Sequence, residues 1–575
     1  MLLVTRASLS IVILAIGILA ANLISSHVHP FRTFYNELAI VWALLLACVV
    51  GFSQSTWSAK VAKPRLIYGL LALLMMFVLQ LLMQQVQVHQ IIYPSMFMVL
   101  GILAIFFGAR FGEQSLQGQA LCTGIAIAHL VAALVSAGME TIQILGWDWR
   151  PFVMYIPTQG VSGVRPFANI AQPNQLALLL CFGLASIWWL RQQRKLHGGL
   201  AFVFSAILIW GLALTQSRIA WIILPLFGLM TGSGFVGRQR ESIIAILGLI
   251  VLYALLVFNL PQISSWIGFS SGSVIERIGG RSERTILAQQ ALAMIASHPW
   301  LGVGWFGFGP AQVDIGGQFT PTIYAEHSHN LMLNFAAELG LPFAVLFFGA
   351  LAVWLWRSFS KRAMRDLPEI GFFLLFFFAV GVHSMVEFPL WYAFVMIPLF
   401  ILAGLAHRMA WQGEPANFSA SFLQRGAILG LLFSAFVVFD YHRVVDGFAE
   451  FRKTSDYQKL DAKKIRRPDF TLMPDYYAYF IVMRMTPQAG MSEDEILFLR
   501  DTSRRFGYVH VLSKLAEVYV LNGRPEQAIA TMRTLSRIHP FYYPEYYDYW
   551  QQLAKQDVRY VEVFNSMPKR DFMND

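Results

Sequence analysis

The sequence predicts an all-α protein that crosses a membrane many times and carries a small soluble domain at its C-terminal end. Of its 575 residues, 57% are hydrophobic and 13% are charged, whereas soluble domains contain about 25% charged residues. Apolar windows long enough to cross the hydrocarbon core of a bilayer recur through the first three quarters of the chain. After Asp440 the composition becomes charged and aromatic, which is typical of a soluble domain.

The apolar windows predict about 13 transmembrane helices, so the class is a polytopic membrane protein. The windows are residues 8–25, 36–53, 66–84, 91–108, 117–138, 173–190, 199–215, 219–236, 242–259, 329–356, 370–386, 388–407 and 424–441. Arg6 precedes the first window as in a signal peptide, but the many later spans favour an uncleaved anchor. We therefore expect residues 1–441 to form the membrane domain and residues 442–575 to form the soluble domain.

Lysine and arginine place the N-terminus in the cytoplasm, because short cytoplasmic loops carry an excess of these residues. With Arg6, 16 basic residues fall on the inner side of the predicted spans and 7 fall on the outer side. An odd number of spans places residues 442–575 outside. The outer residues are all arginines, whose planar guanidinium groups bind two phosphate oxygens at once. They are Arg32, Arg150, Arg165, Arg218, Arg277, Arg281 and Arg284.

Two outer loops are long, residues 139–172 and residues 260–328. Within the second, SERTILAQQALAMIASHPW has apolar residues near helical spacing. These are Ile286, Leu287, Ala291, Met294 and Ile295. The pattern predicts an amphipathic helix that lies along the membrane surface. The glycines of the following LGVGWFGFGP suit a tight loop near a ligand.

The soluble domain is predicted to be small, helical and similar to a tetratricopeptide unit. Residues 511–540 have the pattern of a helix, an Asn-Gly turn and a second helix. A single unit is too short for a solenoid. The tyrosine-rich FYYPEYYDYW that follows fits either aromatic packing between helices or a docking surface for a partner polypeptide.

No metal site, other cofactor or nucleic-acid partner is expected. The three cysteines, Cys48, Cys122 and Cys181, lie inside apolar windows without a CxxC spacing. His327 and His329 are two residues apart and would diverge on a helix, and the chain has no HExxH motif. The net charge of +10 is explained by basic cytoplasmic loops.

Three polar clusters on the predicted outer side are candidates for function, since ionisable groups at membrane depth are costly. One is YAEHSHNLMLNFAAELGLP, residues 324–342, and another joins Arg165 to Gln172 and Asn174. The third is HSMVEFPLWY, in which His383 and Glu387 are spaced to share a helix face. Pro389 in that stretch suits the first turn of the next span.

The first cluster suggests acid–base chemistry beside an anion. A helix that begins near Ser328 would hold His329 and Asn330 in its first turn, where backbone N–H groups are unpaired and attract an anion. A diphosphate could bind there without a metal. A histidine at this place can accept the proton of an attacking hydroxyl group or donate a hydrogen bond to the phosphate.

Several motifs resemble those of the O-antigen ligase and polymerase superfamily. HNLMLNFAAELG resembles its pattern of His-Asn followed by a glycine, and SERTILAQQALAMIASHPWLGVGWFGF resembles its arginine-rich segment and glycine loop. TQSRIAW resembles its Thr-x-Ser-Arg turn. RPFANIAQPNQLA, HSMVEFPLWYAF and the soluble C-terminal extension are similar to one branch, the bacterial protein O-oligosaccharyltransferases of the PglL type.

The resemblance implies a glycosyltransferase of the bacterial inner membrane with its active site in the periplasm. The donor would be a glycan on undecaprenyl diphosphate, and the acceptor would be a serine or threonine of a periplasmic protein, such as a pilin. No metal would be required. The resemblance makes His329 the catalytic residue and assigns the diphosphate to Arg218, Arg284 and Arg281. Further candidates for substrate or acceptor binding are His327, Asn330, Arg165, Gln172, Asn174, His383 and Glu387.

Two other functions remain open at this point. A ligase or polymerase of the same superfamily would act on lipid-linked lipopolysaccharide sugars. A transporter of a polyprenyl-linked glycan would place polar groups at mid-membrane in matched halves of the chain. The C-terminal extension and the QPNQ and HSMVEFPL segments favour the protein glycosyltransferase.

Overall fold

The protein is almost entirely helical. A computed structural model describes residues 5–53, 60–157, 163–271, 283–413, 415–453 and 460–572. Within these ranges the only sheet has two antiparallel strands, β1 (Lys60–Ala62) and β2 (Ala416–Ser419). The predicted all-α class is confirmed.

The helices of the first half are mostly long. They are α1 (Arg6–Leu23), α2 (Phe34–Gly51), α3 (Ile67–Leu82), α4 (Val88–Gly112), α5 (Ser115–Ile144), α6 (Pro173–Gln192), α7 (Gly198–Thr215), α8 (Ala220–Gly232) and α9 (Ile243–Ile267). Local sequence explains where several begin. Thr5 caps α1 by accepting a hydrogen bond from the backbone of Ser8. Pro173 occupies the first turn of α6, where its missing N–H costs nothing.

The second half alternates short and long helices. They are α10 (Glu283–Ser297), α11 (Phe308–Ile315), α12 (Leu331–Leu339), α13 (Leu341–Ser358), α14 (Lys361–Asp366), α15 (Pro368–Ser384), α16 (Ala393–Ala410), α17 (Ala420–Lys453), α18 (Ala462–Ile465), α19 (Pro474–Arg484), α20 (Glu493–Arg505), α21 (Val509–Leu521), α22 (Pro525–Ile538), α23 (Tyr543–Gln556) and α24 (Val561–Ser566). Short 3-10 turns lie at Gly316–Gln318, Pro389–Trp391 and Val558–Tyr560.

The protein is a multi-pass membrane protein, and each predicted span has a helix. Ten helices in the described residues are long and apolar enough to cross a membrane. Three shorter apolar helices, α3, α8 and α15, coincide with the predicted spans 66–84, 219–236 and 370–386. Whether these three also cross the membrane stays a prediction. The three cysteines are buried and unpaired, as their position in apolar windows predicts.

The predicted span 329–356 is divided into α12 and α13 at Gly340. Gly340 has φ +88°, and a Cβ atom there would lie 2.1 Å from the backbone oxygen of Trp300. Leu341 donates its backbone N–H to Pro299 at 2.9 Å. The close approach of the 299–301 segment therefore requires a glycine and breaks the helix. Apolar composition alone does not reveal such a break.

The chain forms two compact units. The first comprises Met1–Leu74, Ser95–Gly280 and Gly349–Ala435, and the second comprises Met75–Pro94, Arg281–Phe348 and Phe436–Asp575. We refer to them as unit 1 and unit 2. His329 belongs to unit 2, and Arg218 belongs to unit 1.

The core of unit 2 joins α10, α11 and α12. Its buried residues include Leu287, Ala291 and Met294 of α10, with Phe308 and Ala337 from the other two helices. The predicted helix at SERTILAQQALAMIASHPW is thus confirmed. Its apolar face packs against α11 and α12, and its position along the membrane surface stays a prediction.

The glycine loop after α10 approaches the end of α12. Gly302 has φ +71°, and a Cβ atom there would lie 2.3 Å from the backbone carbon of Glu338. Val303 donates its backbone N–H to Ala337 at 2.8 Å. The amide of Gln80 donates to the backbone oxygens of Leu301 and Glu338 at 2.8 and 2.7 Å. Gly302 therefore serves close packing between two backbones.

The C-terminal part of unit 2 is helical, and α21 and α22 form the predicted helix–turn–helix. The apolar helix α17 continues to Lys453, well past residue 441. In the tyrosine-rich stretch, Tyr543 and Trp550 are buried, as packing aromatics would be, whereas Phe541 and Tyr542 are exposed. The stretch therefore contributes to the core with one face only.

Candidate functional site

The histidine segment, residues 326–330, is held by hydrogen bonds of its own turn. Asn330 is the N-cap of α12, and its side-chain oxygen accepts the backbone N–H of Leu333 at 3.0 Å. The hydroxyl group of Ser328 donates to the backbone oxygen of Asn330 at 2.9 Å. The backbone N–H of Ser328 donates to the Asn334 side chain at 3.0 Å. The turn is thus fixed on both sides of His329.

This geometry corrects the predicted start of the helix. The helix begins at Leu331 because the Asn330 side chain caps it, so His329 precedes the N-cap instead of lying in the first turn. His329 has φ +54°, a left-handed conformation that costs a residue with a Cβ atom about 1 kcal/mol or more. Strain of this kind persists only where surrounding contacts fix the backbone, and it is concentrated at functional sites.

The two histidine rings are neighbours. Their centroids are 4.3 Å apart, and the planes meet at 70°. The backbone N–H of His329 donates to Nδ1 of His327 at 3.3 Å. Since Nδ1 accepts this bond, a neutral His327 carries its proton on Nε2. His327 is buried and His329 is half-buried, which suits His327 to supporting its neighbour. No group of three potential metal ligands occurs among the described residues.

The predicted arginines of the second loop are only partly described. Arg284 is half-buried in the first turn of α10, within unit 2. Arg281 lies outside the described residues, as does Arg277. Arg284 is therefore the one diphosphate candidate that the described structure places in the same unit as His329.

Unit 1 contains a polar cluster in which side chains hold one another. Arg165 donates to the backbone oxygen of Thr215 at 2.8 Å and to the Asn174 side chain at 3.0 Å. The Asn174 amide donates to the Glu387 carboxylate at 2.8 Å. The Ser217 hydroxyl group donates to Asn174 at 3.0 Å. Arg165, Asn174 and Glu387, predicted as separate candidates, therefore form one network.

Arg218 differs from Arg165 in its contacts. Arg165 belongs to the network, whereas Arg218 follows the network residue Ser217 in the chain. It is exposed in the turn between α7 and α8, next to Ser217. No hydrogen bond or ion pair of its side chain is found among the described residues. Its guanidinium group is thus available to an anion, whereas that of Arg165 is engaged by the protein.

The third predicted cluster has a different local geometry from the one expected. Helix α15 ends at Ser384, so Glu387 lies beyond it, although its backbone N–H still donates to His383 at 2.8 Å. Pro389 opens a 3-10 turn, and α16 begins only at Ala393. The proline fixes this turn rather than starting the next span. His383 is fully buried.

Buried amides extend the cluster beyond the predicted residues. Gln172 has a buried side-chain oxygen, and Gln175 and Gln216 each have a buried oxygen and nitrogen, with no hydrogen-bond partner among the described residues. Sequence reasoning missed Gln175, Gln216 and Ser217. The signal was present, because Gln175 ends the QPNQ motif and the other two belong to TQSR. Unpartnered buried amides suit a polar ligand.

Comparisons with known proteins agree with these motifs. Residues 203–348 match the O-Antigen ligase family, and residues 372–557 match the C-terminal family of virulence factor membrane-bound polymerases. A General O-oligosaccharyltransferase of Acinetobacter baylyi is 21% identical over 92% of this chain and 92% of its own length. A ComP-specific O-oligosaccharyltransferase of the same organism is 25% identical over 80% of this chain and 89% of its own length. The chain is therefore a membrane glycosyltransferase that contains a segment matching the O-Antigen ligase family and is similar over most of its length to two bacterial O-oligosaccharyltransferases.

Proposed function

We propose that this protein transfers a glycan from undecaprenyl diphosphate to serine or threonine hydroxyl groups of periplasmic proteins. The names of both relatives describe O-oligosaccharyltransferases, and they match this chain over most of its length. One relative is named for a single acceptor and the other is named as general. The acceptor range of this protein, including a pilin, belongs to the proposal.

The histidine segment is the observation that carries the chemistry. A glycosyl transfer needs a group that accepts the proton of the attacking hydroxyl, and a neutral imidazole does so near neutral pH. His329 is half-buried, is held in a left-handed conformation and is fixed by hydrogen bonds on either side. His327 supports it through the bond between Nδ1 and the backbone N–H. His329 is thus the proposed catalytic base.

The leaving diphosphate needs positive charge rather than a base. Arg218 is exposed and has no side-chain partner among the described residues, which suits it to bind a diphosphate. Arg284 is the second proposed ligand, and Arg281 is the third. The buried amides of Gln172, Gln175 and Gln216 are suited to sugar hydroxyl groups. With the leaving charge neutralised, direct displacement would invert the anomeric carbon.

The topology that this chemistry requires is also part of the proposal. The N-terminus would be cytoplasmic, residues 1–441 would form the membrane domain, and residues 442–575 would lie in the periplasm of a bacterial inner membrane. The loops 139–172 and 260–328 would face the same side. A membrane-impermeant thiol reagent tests this on single cysteines introduced at the exposed Arg240 and Asp469. Labelling of Asp469→Cys alone in intact spheroplasts supports the orientation, and labelling of Arg240→Cys alone reverses it.

The decisive experiment reconstitutes purified protein with undecaprenyl-diphosphate-linked glycan and a periplasmic acceptor protein. Mass spectrometry of the acceptor should find the intact glycan on serine or threonine. The His329→Ala variant should lose the product, and Arg284→Lys should lose most of it, because an ammonium group cannot bind phosphate bidentately. Activity should persist in excess chelator. Transfer to lipid A–core in place of protein would instead identify an O-antigen ligase.

A further inference from the structure

The helix α20 ends beside the histidine segment, and its last residue contacts that segment directly. Nη1 of Arg505 lies 3.6 Å from Oε1 of Glu326, the residue before His327. Nε of Arg505 donates to Oδ2 of Asp475 at 3.1 Å. Nε2 of His89 lies 2.7 Å from the other oxygen of Asp475. Arg505 therefore bridges two carboxylates, one on the soluble helix α19 and one on the histidine segment.

The pair of Arg505 and Asp475 is partly shielded from water. The side chains of Arg505 and Asp475 are 26% and 25% exposed. Burial alone would raise the pKa of Asp475, but His89 and Arg505 outweigh it, and the pKa is lowered. Burial would lower the pKa of Arg505, but Glu326 and Asp475 outweigh it, so the guanidinium stays charged. Removing one member leaves a partly buried charge without its partner, which is costly.

Other contacts bind the same segment to the soluble helices. The hydroxyl group of Tyr324 donates to the backbone oxygen of Arg505 at 3.4 Å. The Tyr324 ring packs against Gly507, where a Cβ atom would lie 2.6 Å from it. Thr322 donates its backbone N–H to Arg537 at 2.8 Å. The residues that precede the histidines are thus held by the C-terminal helices. Among these contacts, the one between Arg505 and Glu326 is the nearest to His327 along the chain.

We infer that Arg505 is a positioning residue, which holds Glu326 and thereby fixes the histidine segment for catalysis. The C-terminal part of the chain is then a component of the active site as well as a candidate for acceptor binding. This inference rests on the proposed function, since it assumes that His329 acts as the base. A shift of about 1 Å in a reacting group is enough to lower a rate about 100-fold.

Arg504 provides a matched control on the same helix. It forms a bidentate ion pair with Asp314, in which Nε lies 2.9 and 3.1 Å from the two carboxylate oxygens. Both side chains are 43% exposed, and exposed ion pairs contribute little to stability. Arg504→Ala removes an arginine from the adjacent position without touching Glu326.

The first test measures kcat and the KM for donor in Arg505→Ala, Glu326→Ala and the double variant. Glu326→Ala is informative because Glu326 is 47% exposed and its loss leaves the pair of Arg505 with Asp475 intact. We expect kcat to fall about 10- to 100-fold in each single variant with KM nearly unchanged. The kcat of the double variant should be no lower than that of the less active single variant, because both substitutions remove the same contact. Arg504→Ala should stay within about twofold of the wild type.

The second test is independent of activity. Amide hydrogen exchange is measured on purified full-length protein for peptides that cover residues 322–330 and residues 509–538. Arg505→Ala and Glu326→Ala should accelerate exchange in the first peptide and leave the second unchanged. Unchanged exchange in 322–330 overturns the inference, as does an equal loss of kcat in Arg504→Ala. If even the wild type transfers no glycan, the proposed function fails, while the exchange result still decides whether Arg505 fixes the segment.

Discussion

The histidine segment of unit 2 and the polar cluster of unit 1 are organised in opposite ways. Around His329, backbone groups and short side chains fix a strained turn, and the imidazole itself is left half-buried. Around Asn174, long side chains bond to one another, and Arg165 is engaged by the protein. The first arrangement fixes the position of one reactive group. The second is a hydrogen-bonded network whose member Ser217 is followed in the chain by the exposed Arg218.

The comparison predicts that the largest single effect comes from His329. Asparagine tolerates left-handed backbone, so His329→Asn removes the base while keeping the turn. Transfer should fall about 100- to 10,000-fold, which is the contribution of general acid–base groups. The exposed His298 in the same unit offers the control His298→Ala, which should retain activity. Retained activity in a folded His329→Asn protein would show that His329 is not the catalytic base.

Backbone packing behind the histidine segment should produce the next effect. Gly340→Ala forces a Cβ atom to within 2.1 Å of the Trp300 oxygen at φ +88°. We expect a loss of about 3 kcal/mol of stability, seen as a lower thermal midpoint and poor yield of folded protein. Gly349→Ala is the control, because a Cβ atom there meets nothing within 4 Å among the described residues. Equal behaviour of the two variants would show that the turn does not depend on this close approach.

These two positions show what the sequence can and cannot predict. The all-α class, the helix at SERTILAQQALAMIASHPW and the helix–turn–helix near residue 523 follow from local periodicity, which requires no knowledge of tertiary contacts. The break at Gly340 and the start of α12 depend on a neighbouring backbone and on the cap by Asn330. The first contact joins segments that are distant in the chain, and the second depends on whether one side chain caps the helix. A periodicity argument therefore placed His329 inside the helix.

The candidate residues of unit 1 show the same limit. The sequence placed Arg165, Asn174 and Glu387 in polar clusters on the predicted outer side, but it could not show that Asn174 joins the other two. That link spans 213 positions in the chain. Nor could the sequence distinguish the engaged Arg165 from the available Arg218, since both are arginines on the same predicted side. The distinction lies in what each guanidinium group contacts.

The third prediction uses that distinction. Arg218→Ala should lower kcat/KM about 100-fold, because a cation that stabilises the leaving charge is lost. Arg218→Lys should be affected less, by about tenfold, since it keeps the charge and loses bidentate geometry. Arg150→Ala is the control, because Arg150 is exposed and its ion pair with Asp148 is local. Equal kinetics for Arg218→Ala and Arg150→Ala would make the diphosphate site in unit 1 untenable.

The engaged residues of unit 1 should show a smaller effect, on stability. Asn174→Ala removes the hydrogen bonds of Asn174 to Arg165, Glu387 and Ser217. A buried polar group that loses its hydrogen-bond partner costs about 1–3 kcal/mol of stability. Ser217→Ala removes one of these bonds and should cost about 1 kcal/mol. Thermal unfolding in detergent measures both. An Asn174→Ala protein as stable as the wild type would mean that the network does not organise this region.

The smallest expected effect is a pH dependence of unit 2. Burial alone would raise the pKa of Asp475. His89 and Arg505 together lower it by a larger amount, so the folded pKa is below the ordinary value of about 3.9. The unfolded chain then binds the proton more readily. The stability that this carboxylate contributes is full above the ordinary pKa and is lost as pH falls through the folded pKa. The difference in thermal midpoint between the wild type and Asp475→Asn should narrow as the pH falls below about pH 4. Asp469→Asn, at an exposed position of the same unit, is the control and should show no such narrowing. A difference that stays constant down to pH 3 would show that Asp475 is not held as a carboxylate by His89 and Arg505, and the support of the histidine segment would then rest on the contacts of Tyr324 and Thr322.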